Sequence, residues 1–405
     1  MISHKQQFLE YLAQTTDDPL GLEIVKANGI YLIDRNGKRY MDFISGIGVS
    51  NTGHRPHRVL QAIRKQLGKY LHTMVYGEYV QQPQVRLAKR LCGLLPEQLN
   101  SVYYVNSGSE AIEGALKLAK RYTKRRKIVA MGSAYHGSTH GALSLMDDPY
   151  YSNFYRPLLP EVYFARLNDL ESLDIIDEGT ACVVIEPIQG EAGYIPASEA
   201  FLQGLRDRCN ETGTLLILDE IQTGMGRSGS LFAFEQYGIE PDILCLAKAF
   251  GGGMPLGAFV SSREIMSSLK RDPILGHITT FGGHPVSCAA ADENLRYIIE
   301  KNVIHDVHAK GEKLRTALES HPAVIALTGK GLMLRIELAN FEEVQTAIKA
   351  CLANGLITDW FLYRTSALRI APPLTITNSE LNRAIKILLK ALDTVKPRNP
   401  DEVQP

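Results

Sequence analysis

The sequence predicts an α/β protein: a large, doubly wound, mostly parallel sheet domain with a smaller α+β domain beside it. Between about Val102 and Val260, short apolar runs (SVYYV, KIVAM, ACVVIE, TLLILDE, DILCLA and GAFVS) alternate with longer amphipathic or polar stretches. That is the pattern of strands buried on both faces and joined by crossover helices. After Pro285 the pattern changes to long helices interrupted by isolated strands, as in a separate layer. The chain's 405 residues also exceed what one minimal core needs.

In chain order, strands are expected around Ile30–Asp34 and Arg39–Phe43, joined by a hairpin turn at Asn36–Gly37. The six apolar runs then form the main sheet. Beyond them come helices over 285–301 and 302–320, a strand in GLMLRIEL, a helix near 341–354, a strand around Leu368 and a last helix from about Asn378. The opening hairpin is expected to pack against this C-terminal part. The expected division is residues 1–55 and 296–405 for the small domain, built from both chain ends, and 56–295 for the large one. The tail PRNPDEVQP reads as frayed.

Lysine plus arginine (44) balances aspartate plus glutamate (44), so the electrostatic footprint of a nucleic-acid or anionic-membrane binder is missing and a small-molecule partner is favoured. The six cysteines form no CxxC pair, and Cys182 and Cys245 lie inside apolar runs. They read as buried thiols of a reducing compartment. The first residues contain no apolar signal region and no stretch is long enough to span a bilayer, so the expected location is cytoplasmic.

Three motifs carry chemistry. Asn106-Ser107-Gly108-Ser109-Glu110 closes the SVYYV strand and opens a helix with Ala111, Ala115, Leu118 and Tyr122 on its apolar face. Ser107 and Glu110 have capping-box spacing, and such a helix start is a phosphate site as readily as an ordinary cap. TLLILDEIQTG ends a fully apolar strand in Asp219-Glu220, at the strand end where open α/β sheets bind ligands; a carboxylate there can equally cap the next element. DILCLAKAFGGG places Lys248 between an apolar strand and three glycines, Gly251 to Gly253. A lysine so placed is a paired or snorkelling structural residue, or an amine whose pKa burial has lowered for imine chemistry. Together the three supply what pyridoxal 5'-phosphate (PLP) requires: a phosphate anchor, an anionic partner for the ring nitrogen and an amine for the aldehyde.

Rival readings are weaker. Gly224-Met225-Gly226-Arg227-Ser228-Gly229 matches GxGxxG, with Asp242 following as a dinucleotide enzyme would need, but EIQT separates it from the strand end where that turn must form. His136 and His140 are four apart, yet no glutamate of an HExxH motif stands between them, and Gly137 and Gly141 oppose a firm helix. A PLP-fold regulator without turnover would have no need of the lysine, aspartate and glutamine retained here, and no DNA-binding extension is present.

Over nearly its whole length the chain resembles class III aminotransferases of PLP fold type I, the subgroup of acetylornithine, ornithine and 4-aminobutyrate aminotransferases. The likeness is carried by GIYLIDRNGKRYMDFISGIGVSNTGH, NSGSEAIEGALKLAKRY, SAYHGSTHGALS, VIEPIQGEAGY, LDEIQTGMGRSG, LAKAFGGGMPLGA, TTFGGHP and LRIAPPL. The resemblance implies that Lys248 carries the cofactor covalently and moves the substrate proton, while Asp219 holds the pyridinium proton. Tyr135 and Ile221 would press on the two ring faces, Gln222 would bond the ring hydroxyl and Glu186 would join the polar network beside it. Ser107, Gly108 and Ser109 would take the phosphate, with Thr280 supplied by the neighbouring subunit of a homodimer with shared active sites. Arg369 matches the arginine that grips the α-carboxylate of glutamate or 2-oxoglutarate, and Glu191 the glutamate that neutralises it. Ser138 stands where the family generally has an arginine for the donor's far carboxylate, and Ile47 where ornithine-type enzymes have a tyrosine. These departures lead us to expect an ω-amino donor that is neutral or cationic at its distal end.

Overall fold

The computed structural model describes residues 3–75 and 77–396; the tail PRNPDEVQP lies outside the described residues. Its centre is a seven-stranded sheet in the order Ser101–Val105, Gly257–Ser261, Ile243–Leu246, Leu215–Asp219, Thr180–Ile185, Lys127–Met131, Val162–Ala165. All pairings are parallel except those of Gly257–Ser261, which runs against both neighbours. Strand periodicity sends alternate residues to opposite faces. Val129, Met131, Val183, Ile185, Leu216 and Leu218 enter one core, whereas Ile128, Ala130, Cys182, Val184, Leu215 and Ile217 enter the other. Covering both faces makes these runs apolar throughout and fixes the fold as doubly wound.

All six expected runs are strands of this sheet. The seventh, Val162–Ala165, escaped notice because it is an edge strand with Tyr163 and Phe164 exposed, so no continuous apolar run marks it. The opening hairpin pairs Tyr31 with Met41 across its turn, and Arg39–Asp42 also lies parallel to Leu356–Ile357. Ile30, Met41 and Phe43 share a core with Leu334, Ile336, Leu368, Ile370 and Leu388, so both chain ends build one α+β layer. The helix expected from 302 begins only at Val307; Asn302, with φ +48°, turns the chain first.

Arg227, wholly buried, ties the layers together. Its guanidinium donates to the carbonyls of Leu332 (2.9 Å) and Pro372 (2.5 Å) and to Asn51 Oδ1 (2.6 Å). The GxGxxG match around it is a run of turns that opens no helix, which removes the dinucleotide reading. No described helix is long and apolar enough to cross a membrane.

Candidate active site

The ends of the Leu215–Asp219 and Ile243–Leu246 strands and the start of the Gly108–Thr123 helix converge on a cavity of about 370 Å³. Ser107, Gly108 and Ser109 form one wall. Ser107 is the N-cap, its Oγ accepting the Glu110 N–H at 3.2 Å. The reciprocal half of the expected capping box does not form: Glu110 instead accepts from Asn106 N (2.7 Å) and Nδ2 (2.9 Å). Glu110 therefore does not take the Ser107 N–H, and the helix start, whose first-turn N–H groups no helix satisfies internally, borders the cavity. Two glycines permit this packing. A Cβ at Gly257 would overlap the Ser107 carbonyl, and one at Gly137, where φ is +127°, would overlap Ser109 Oγ.

Asp219 ends its strand buried at the cavity, Oδ1 accepting the Ile221 N–H (3.0 Å) and Oδ2 lying 2.7 Å from His136 Nδ1. Sequence reasoning considered His136 only as a metal ligand and missed this pair; its position beside Tyr135 in SAYHGS was the available signal. Burial disfavours a charged imidazole, but the hydrogen bond and charge of Asp219, with Glu186 nearby, hold His136 above its ordinary value. Glu186 accepts from Gly190 N (3.0 Å) and Tyr135 N (3.3 Å), and burial pushes it up to about 7 despite the pull of His136. Glu220 turns the other way. It accepts from the Thr223 hydroxyl and the N–H groups of Ala233 and Phe234, and is a buried structural carboxylate.

Tyr135, Ile221 and Gln222 also line the cavity, and Gln222 Oε1 is buried without a partner among the described residues. Lys248 closes the opposite side at φ +48°, with no hydrogen bond or ion pair to its amine among the described residues. Burial lowers the Lys248 pKa, against the opposing charges of Glu191 and Asp219.

Behind Glu191 lies Arg369, almost wholly buried, its Nη2 2.9 and 3.2 Å from the two Glu191 oxygens. Burial would raise Glu191, but Arg369 outweighs it and holds the carboxylate below its ordinary value. Arg369 also donates through Nε to Asp359 (2.8 Å), a partner the sequence reading missed because Asp359 sits in an irregular segment with no recognisable motif.

Four expected site residues do not line this cavity: Arg369, which stands behind Glu191, and Ser138, Ile47 and Thr280. Ser138 is exposed, its hydroxyl 3.1 Å from that of Tyr135. Ile47, at φ +60°, points partly to solvent, and Val49 lines the cavity instead. Thr280 is exposed, its carbonyl 2.8 Å from His72 Nε2.

The chain matches the family model described as aminotransferase class-III over residues 11–392. It is 38% identical to the putrescine aminotransferase of Pectobacterium atrosepticum, over 98% of this chain and 88% of that one. It is 37% identical to the acetylornithine aminotransferase of Methanocaldococcus jannaschii, over 93% and 95%. Among solved structures it is similar to the ornithine aminotransferase of Toxoplasma gondii, whose crystals show partial occupancy of PLP at the active site: TM-score 0.90, 26% identity, 97% and 95% coverage. The adenosylmethionine-8-amino-7-oxononanoate aminotransferase of Methanocaldococcus jannaschii is also similar, with TM-score 0.90, 28% identity, and 97% and 99% coverage. With the fold, the cavity and the family model in agreement along its length, the chain belongs to the class III aminotransferases, PLP-dependent enzymes of fold type I.

Proposed function

We propose that the enzyme moves an ω-amino group from a donor that is neutral or cationic at its far end, such as a diamine or a blocked diamino acid, to 2-oxoglutarate in a ping-pong cycle. The cavity residues fit PLP. Ser107, Gly108 and Ser109 offer N–H groups and hydroxyls to the phosphate, Asp219 offers a buried anion to the ring nitrogen, and the unpartnered Gln222 Oε1 stands ready for the ring hydroxyl. When bound, the cofactor supplies the aldehyde for covalent capture and the electron sink for proton abstraction. Lys248 would be the residue that holds it covalently and the group that moves the substrate proton; burial lowers its pKa, as an amine for imine chemistry needs. Asp219, oriented by His136, would be the anionic partner that keeps the ring nitrogen protonated. Tyr135 and Ile221 would take the two ring faces, and Glu186 fixes the loops that carry Tyr135 and Gly190.

Arg369, uncovered when Glu191 withdraws, is the grip for the acceptor's α-carboxylate. The donor reading rests on one observation: among the described residues lining the cavity, none but Lys248 and His136 is basic, and Ser138 is a serine turned to Tyr135. The relative named for putrescine supports a diamine, whereas those named for acetylornithine favour that donor as second choice. Assayed with 2-oxoglutarate, putrescine or cadaverine should exceed ornithine, acetylornithine and 4-aminobutyrate in kcat/KM. The reverse order would overturn the donor assignment and leave the aminotransferase intact.

We also read the enzyme as a cytoplasmic homodimer with shared sites, its large domain spanning 56–295 and its small domain 1–55 with 296–405. Thr280 lies outside its own chain's cavity and is exposed, its carbonyl on His72, whose ring packs on the exposed Phe281. An exposed threonine beside an exposed aromatic side chain suits a partner subunit, which Thr280 would reach.

A further inference from the structure

Residues 358–366, between the Leu356–Ile357 and Ala367–Ile370 strands, hold both members of the Arg369–Glu191 pair. Asp359 meets Arg369 twice: its carbonyl accepts the Arg369 backbone N–H (2.9 Å) and its Oδ1 accepts from Nε (2.8 Å). The Trp360 carbonyl accepts from Nη2 (3.2 Å), and the Phe361 ring lies 4.4 Å from the guanidinium. A little further on, Leu362 N–H donates to Glu191 Oε2 (3.3 Å) and Tyr363 N–H to the Glu191 carbonyl (3.1 Å).

The two carboxylates on Arg369 are not equivalent. Glu191 lines the cavity and takes Nη2, one of the two terminal nitrogens, whereas Asp359 takes Nε on the flank. A guanidinium grips a carboxylate either side-on, through Nε and one terminal nitrogen, or end-on, through Nη1 and Nη2. With Nε taken, only the end-on mode remains once Glu191 withdraws, and Nη1 then holds nothing stronger than the Tyr194 hydroxyl at 3.3 Å.

We propose that Asp359 is a positioning residue for the acceptor: it locks the Arg369 fork so that its two terminal nitrogens, and not its flank, receive the acceptor's carboxylate. The proposal rests on Arg369 being the carboxylate grip. Asp359 is suited to stay behind when Glu191 leaves, because its second tie to Arg369 runs through the backbone. Its charge also survives burial, which pushes its carboxyl up only to about 6.

The test measures binding of glutarate, an unreactive dicarboxylate, to the holoenzyme by calorimetry, beside the KM for 2-oxoglutarate and the rate of the donor half-reaction. Asp359→Ala should weaken glutarate and raise the acceptor KM by about tenfold or more, the worth of one charge-assisted hydrogen bond, with the donor half-reaction unchanged. Asp359→Asn, which keeps an acceptor oxygen at Nε, should restore both to within about threefold. If Asp359→Ala does not fold, Asp359→Glu replaces it, since the longer side chain keeps the charge but displaces the acceptor atom, and should also weaken glutarate. Unchanged or tighter glutarate binding in Asp359→Ala or Asp359→Glu, or an Asn variant as weak as these, overturns the proposal. Arg369→Gln separates the premise: if that variant binds glutarate normally, the grip itself is wrongly assigned.

Discussion

His136 and Asp219 show how one residue's role depends on a partner that no spacing rule connects. Asp219 was legible because a carboxylate ending an apolar strand points at the ligand crevice. His136 was not, since the contact at 2.7 Å spans 83 positions and exists only after the sheet has formed. The imidazole donates to Asp219 and holds it in place, and in the proposed mechanism Asp219 would in turn serve the ring nitrogen. Asp219→Asn should therefore keep bound PLP, through Lys248 and the phosphate wall, while turnover falls at least about 100-fold. Cofactor content and single-turnover rates check this, and near-normal turnover would remove Asp219 from the mechanism. Glu220, next in sequence, looked the same on paper; its three internal partners turn it away from the cavity.

At the level of elements, the wall of Ser107, Gly108 and Ser109, proposed to take the phosphate, depends on how closely the antiparallel Gly257–Ser261 strand approaches the helix that begins at Gly108. Because a Cβ at Gly257 would overlap the Ser107 carbonyl, Gly257→Ala must push the helix start outward. The expected result is PLP affinity lowered by about tenfold or more with the protein still folded, measured by dialysis against buffer lacking cofactor. Unaltered affinity would mean that the helix start does not bear the phosphate. The apolar runs made all but one strand of the main sheet readable, because burial on both faces leaves a continuous signal. Exposed edges and two-residue strands leave none, which is why Val162–Ala165 and Leu356–Ile357 were not anticipated. The segment carrying Asp359 was equally silent, being irregular chain whose importance comes from what it encloses.

Across the whole molecule, the cavity of one chain is lined by every expected cofactor contact except Thr280, which is exposed outside it. A particle of twice the chain mass is expected by light scattering, with Thr280→Ala weakening PLP retention; a monomer that retains PLP fully would contradict the shared site. The residues singled out in the sequence, Lys248, Asp219 and Ser107, meet at one cavity, whereas the dimer was expected only from the family resemblance, because a surface patch has no local signature. Everything in this scheme turns on Lys248, whose amine faces the cavity at a lowered pKa with no partner to hold it among the described residues. The decisive measurement is peptide mapping by mass spectrometry after borohydride reduction of the holoenzyme. A single pyridoxyl-phosphate adduct on Lys248, absent from Lys248→Ala, is the expected result; an adduct on another lysine, or one that persists in Lys248→Ala, would contradict the assignment.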